Sequence, residues 1–126
     1  MKRALIVSLI VAALLILIPV LAPLFPSQLT VEGIEEGMIG HGFTIGNEQT
    51  VDPPEAGAIT QKAMTVNGAD AYLYQFDSEL KLEAQRKLLK SSFGDDSVAR
   101  NQMFLLAVVT FNDDLRRRVC RAFESL

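Results

Sequence analysis

The sequence predicts an α+β protein: an N-terminal transmembrane helix followed by a small two-layer domain with a mainly antiparallel sheet and two helices. Three observations lead there. An apolar run fills residues 4–25, an Asn67-Gly68 pair separates two strand-like segments, and the last segment repeats apolar residues at helical spacing.

The run from Ala4 to Phe25 holds no ionisable side chain. A helix rises about 1.5 Å per residue, so about 20 residues cross the hydrocarbon of a bilayer. The 22 residues here suffice. A soluble domain could bury such a helix only among apolar partners, and the remaining 101 residues are few for that purpose. The competing reading is a cleaved signal peptide, with Ala4–Ile18 as its apolar core and a cut after Ala22. Val20-Leu21-Ala22 is not an Ala-x-Ala site, and Pro23 would restrict the backbone directly after the scissile bond. Leu24 and Phe25 also extend the run past the cut, so retention as a signal-anchor is favoured. Lys2 and Arg3 flank one end, whereas the next cation is Lys62, which keeps the N-terminus cytoplasmic. The expected segments are a cytoplasmic N-terminus at 1–3, a single-pass membrane helix at 4–25, a juxtamembrane linker at 26–36 and an extracytoplasmic domain at 37–126. Cleavage would instead release a secreted or periplasmic domain, and either outcome places it outside the cytoplasm.

Removing the two N-terminal cations from the whole-chain charge of −3 leaves −5 on the exported part. Residues 26–75 carry seven acids and a single cation, Lys62, while residues 76–126 carry eight acids and nine bases. Phosphate binding needs concentrated cations, so this balance argues against a nucleic-acid partner. Cys120 is the only cysteine, which excludes an intramolecular disulfide and, so far from the apolar run, a conventional lipid anchor.

Beyond the membrane segment, "QLTVEG" (residues 28–33) reads as a short strand, and "GMIGHGFTIGN" (37–47) alternates with Ile39, His41, Phe43 and Ile45 on one face. "NEQTVDPPEAG" (47–57) is a loop, since its prolines lack amide donors. Asn67-Gly68 tolerates the positive dihedrals of a tight hairpin turn, which pairs Ala58–Val66 with Ala71–Phe76. In the second strand Tyr72, Tyr74 and Phe76 share one face and Leu73 takes the other. A helix over 78–91 follows, capped by Asp77 or Ser78, with Leu80, Ala84 and Leu88 as its apolar stripe and Leu89 nearby. "MFLLAVVT" (103–110) lacks alternation, as expected of a strand covered on both faces, or of a short buried helix. Its β-branched end favours the strand. The final helix presents Leu115, Val119, Ala122, Phe123 and Leu126 as one stripe and takes Asn112 or Asp113 as its cap. Both helices are expected on one face of the sheet. If strands 71–76 and 103–110 were parallel neighbours, helix 78–91 would be their right-handed crossover.

"VNGADAYLYQFDSELKLEAQRKLL" followed by "NQMFLLAVVTFNDDLRRRVCRAFESL" resembles the carboxy-terminal half of a group of small exported bacterial envelope proteins. The resemblance covers about sixty residues. It implies an Asn-Gly turn and aromatic strand, a helix, an apolar strand and a short terminal helix in an exported protein. Such proteins are usually held by a modified cysteine, where this chain has an apolar segment. The group brings no catalytic motif.

Candidate chemistry is sparse. His41 is the only histidine, and its nearest acids Glu35, Glu36 and Glu48 form no zinc pattern, so a partly buried structural histidine is expected. Cys120 lies among Arg116, Arg117, Arg118 and Arg121, whose charges would lower a thiol pKa. Its place beside Val119 and Phe123, late in a helix, points instead to a packed side chain. The arginines could bind an anionic lipid or an acidic partner, but Asp113 and Asp114 stand four residues before Arg117 and Arg118 and can pair with them. "FGDD" (93–96) and "FNDD" (111–114) lack the spacing of a calcium loop and read as a turn and a helix cap.

No catalytic, cofactor-binding or metal-ligating residue is therefore assigned, no cofactor is expected, and the chain is read as a non-enzyme. The expected function is a membrane-tethered extracytoplasmic binding or structural module. Its partners are the bilayer, through residues 4–25, and an envelope protein that meets the sheet edge or acidic face. The alternative is a small extracytoplasmic enzyme or enzyme inhibitor, tethered or secreted, whose mark would be a cavity combining His41 with acids.

Overall fold

A computed structural model describes residues 28–126. The segments expected at 1–3 and 4–25 lie outside the described residues. Among those described, no helix is long and apolar enough to cross a membrane.

The chain folds as α1 (Val31–Gly40), β1 (Ile45–Thr50), β2 (Thr60–Val66), β3 (Ala69–Gln75), α2 (Glu79–Phe93), a 3-10 turn (Asp95–Ser97), β4 (Val98–Asn101), β5 (Phe104–Val109) and α3 (Asp113–Glu124). The strands form one sheet in the order β1-β2-β3-β5-β4, and every neighbouring pair is antiparallel. The architecture is α+β as expected, with three helices in place of two.

Asn67 and Gly68 join β2 to β3 with φ of 49° and 81°, the left-handed pair that matches strand twist in a two-residue hairpin. The register runs from Val66 opposite Ala69 to Thr60 opposite Gln75. Asn67 also fastens β1: its Oδ1 accepts from the Thr44 amide at 2.7 Å, and its own amide donates to the Thr44 carbonyl at 2.8 Å.

β5 decides the layering. Phe104, Leu106 and Val108 belong to one core, and Leu105 and Ala107 to another on the opposite face. Both sets are almost fully buried, so the sheet must be covered on both sides. α1 and α3 cover the first face, and α2 covers the second. The two-layer expectation, with helices on one face only, is therefore corrected to three layers. The crossover reading changes too. β5 lies beside β3 but antiparallel to it, and the strand parallel to β3 is β4, on the far side of β5.

Residues 28–33 and 37–47, read as strands, are instead chiefly α1 and its exit. Thr30 caps the helix by accepting from the Gly33 amide at 3.0 Å, and Ile34 and Met38 bury one turn apart. Residues 31–36 thus belong to the folded domain and not to a linker. Gly37 lets α1 approach α3 closely, because a Cβ there would lie 2.5 Å from a Leu126 methyl. Lys62 ties the layers together, donating to Glu35 of α1 at 3.0 Å and to Glu48 of β1 at 3.4 Å. The hydrogen bond to Glu35 is the main reason its pKa is raised.

α2 begins at a Ser78 cap that accepts from the Lys81 amide. Its buried side is Leu82, Gln85 and Leu89. The expected stripe is on the wet side, with Leu80 81% and Leu88 61% exposed. β4, absent from the sequence reading, pins the other ends: Arg100 pairs with Glu79 at 2.8 Å and with Glu83 at 2.6 Å. Asn101 Nδ2 donates to the carbonyls of Phe123 and Leu126 at 2.9 and 3.0 Å, satisfying the C-terminal end of α3. The apolar stripe of α3 packs as expected, with Phe123 and Val119 fully buried.

Two substitutions distinguish the faces of α2. Leu82→Ala should cost about 2–5 kcal/mol, as for a buried leucine, and Leu80→Ala should change stability by less than about 0.5 kcal/mol. Urea denaturation of residues 28–126 measures both, and the reverse order would restore the Leu80 stripe as the packed face.

Candidate binding surface

The sheet face that carries α2 is only partly covered. Five strands about 4.8 Å apart span roughly 24 Å, and one helix is about 10–12 Å across with its side chains. α1 and α3 together can cover that width. α2 alone cannot, and it lies over β5 and β4. The exposed remainder of this face is built from small and polar residues, with Ala63 and Thr65 on β2, Gln49 on β1 and Asp70 on β3.

The result is a groove beside α2. One concavity, of about 480 Å³, lies where the C-terminal end of α2 meets the start of β3 and the end of β5. Asp70, Ser92, Phe93, Val109, Thr110, Phe111 and Arg116 line it. A second concavity, of about 370 Å³, shares Phe93 with the first and is lined by Val51 and Glu55 of the 51–59 loop with Gln61, Tyr72 and Tyr74. Gln61 is buried and accepts from the Glu55 amide through Oε1 at 2.8 Å, holding the loop against β2. Burial, and next the charge of Glu55, push the Tyr74 phenol above its usual range, so this ring enters the wall neutral.

Two phenylalanines mark the rim. Phe93 closes the last turn of α2 and is 42% exposed; Phe111, between β5 and α3, is completely exposed. An aromatic ring left in water forgoes about 1.5–3 kcal/mol of burial. Arg116 holds its place in the wall by donating to the Thr110 carbonyl at 3.2 Å and to Asp113 at 2.7 Å. Apolar rings, hydroxyls and both signs of charge in an open groove suit contact with a polypeptide surface.

The residues singled out in the sequence lie elsewhere. His41 follows α1, exposed, and its amide donates to the Gly37 carbonyl at 3.1 Å. The expected partial burial is thus corrected: the chain is ending a helix there, not continuing a strand. Ser125 Oγ lies 3.5 Å from its Nε2, and Arg118 and Arg121 share its shallow depression. Positive neighbours oppose a metal cation at this imidazole, and among the described residues no group of acids, histidine or cysteine is arranged to hold one.

Cys120 is packed, 8% exposed, with Sγ 3.5 Å from the Asp96 carbonyl. Burial, with Glu124 adding to it, pushes the thiol up to about 11. Arg117 and Arg121 face Asp95, Asp96 and Glu124 across a small depression, so opposite charges surround the expected anion site. Of the two expected ion pairs on α3, Asp114 with Arg118 forms at 3.1 Å, while Asp113 takes Arg116. Asn112 is the cap, accepting from the Leu115 amide at 3.1 Å. The "FGDD" stretch ends α2 and starts the 3-10 turn.

Against known proteins, the chain matches no family model, no curated protein and no solved structure.

The packed thiol has a measurable pH signature. Its folded pKa of about 11 stands above the ordinary 9.0, so the stability it confers is complete below pH 9 and declines as pH rises toward 11. The difference in urea midpoint between the native chain and Cys120→Ala should shrink over that interval. A constant difference would mean that the thiol is not desolvated.

Proposed function

We propose that the protein is a membrane-tethered extracytoplasmic binding module that holds a protein partner in the groove beside α2. Residues 4–25 supply the tether, and Lys2 and Arg3 keep the N-terminus in the cytoplasm. The observation that carries the binding reading is the completely exposed Phe111 beside half-exposed Phe93, on the rim of a concavity of about 480 Å³. Aromatic rims around a mixed polar groove are a common form of interaction hot spot. The resemblance of residues 66–126 to small exported envelope proteins agrees with this placement, and an envelope protein is the partner class. In this reading the role is binding and not catalysis.

Two experiments test the parts separately. A reporter active only outside the cytoplasm, fused after Leu126, should be active, and a cytoplasmic reporter at the same site should be silent. The opposite pair of results reverses the topology. Partner capture from gently solubilised membranes should then depend on the rim. Phe111→Ser should weaken the captured complex by about 2 kcal/mol, roughly 30-fold, with an unchanged urea midpoint. Ile39→Ser, an exposed change on α1, should leave capture intact. Equal capture by the Phe111 and Ile39 variants moves the binding surface away from the groove.

A further inference from the structure

The sheet has two ends with different surroundings. At one end lie the 51–59 loop, the start of α2 and the Gln102-Met103 turn between β4 and β5. At the other lie the Asn67-Gly68 turn, Phe111 and the C-terminal end of α2. The folded chain starts at the first end. Leu29, packed against the core, donates its amide to Gln102 Oε1 at 2.9 Å.

Only residues 26–28 separate Leu29 from Phe25, the last residue of the apolar run. A fully extended chain spans at most about 3.6 Å per residue, so Leu29 lies within about 14 Å of that run. That reach is about twice the thickness of one headgroup layer, so with the apolar run in the hydrocarbon Leu29 stands at most about one further layer's thickness beyond the headgroups. A domain held so closely cannot present its ends at random. The end that carries Leu29 also carries Ile59, 50% exposed, and Leu80, 81% exposed, on the adjoining loop and helix start.

We infer that this end of the domain is a lipid-contacting surface, with Ile59 and Leu80 entering the interfacial layer and the Phe93/Phe111 rim turned away from the bilayer. The inference rests on the tether proposed above. The occupant is lipid and not a second copy because the tether itself brings this end to the membrane. The loop and helix start that carry Ile59 and Leu80 also carry Asp52, Glu55, Asp77 and Glu79 against Lys81, and Arg100 is already paired with Glu79 and Glu83. The contact is therefore apolar, without a basic patch for anionic headgroups.

The full chain, reconstituted into phosphatidylcholine vesicles, provides the test. A polarity-sensitive fluorophore is attached to Ile59→Cys, Leu80→Cys, Thr44→Cys or Phe111→Cys, each exposed in the fold, while buried Cys120 stays unlabelled. Vesicle lipids brominated near the headgroup should remove most of the emission at 59 and 80 and little at 44 and 111. Co-flotation without that contrast, or with the stronger loss at 44 and 111, overturns the inference and leaves the tether standing. Shielding of 59 and 80 that brominated lipid does not quench would mean that this end docks protein, which also overturns it. Failure of the chain to float with the vesicles overturns both the inference and the tether.

Discussion

The double-sided burial of β5 is the constraint on which the rest of the domain depends. Phe104, Leu106 and Val108 need cover on one face, and Leu105 and Ala107 on the other. No two-layer arrangement of this chain meets both demands. α3, joined to β5 by a short turn, folds back over the first face, and α1 lies beside it. α2 is left alone on the second face. Because one helix is narrower than five strands, the unevenness of that cover produces the groove.

Charge then fixes the helices against the sheet. Lys62, the one cation among residues 26–75, joins α1 to β2 and β1, and Arg100 joins β4 to the first turns of α2. Arg116 fastens the start of α3 to the chain leaving β5. These partly exposed pairs orient elements more than they stabilise them. They leave the two ends of the sheet chemically distinct. One receives the chain from the apolar segment, and the other displays aromatic rings around a concavity. That polarity connects the fold to the proposed role.

What the sequence disclosed follows from the range of the interactions involved. The Asn67-Gly68 hairpin, the Asn112 cap and the Leu115–Phe123 stripe rest on contacts between near neighbours in the chain, so their residues suffice to identify them. β5 was legible as a strand because its six apolar residues end in two β-branched valines, but the cover on both sides that the run implies was not carried through to the placement of the helices. α1 was hidden by its three glycines and by the parity of Ile39, His41 and Phe43. On α2, Leu80, Ala84 and Leu88 make a better stripe than Leu82, Gln85 and Leu89, yet the latter face the sheet. Only the direction from which β5 and β3 approach decides between them. β4 is four residues long and polar in half of them, too short for periodicity to register. The groove had no local signature at all, since Asp70, Phe93 and Thr110 meet only after the sheet has formed.

The proposed arrangement of a lipid-facing end and a protein-facing groove is tested most directly by photo-crosslinking in intact cells. A photoreactive amino acid would replace Phe111 in one full-length variant and Leu80 in another. The two-ended arrangement predicts a discrete crosslinked protein from position 111 and none from position 80, where the label faces lipid. A protein adduct from position 80, with position 111 giving none, would contradict it.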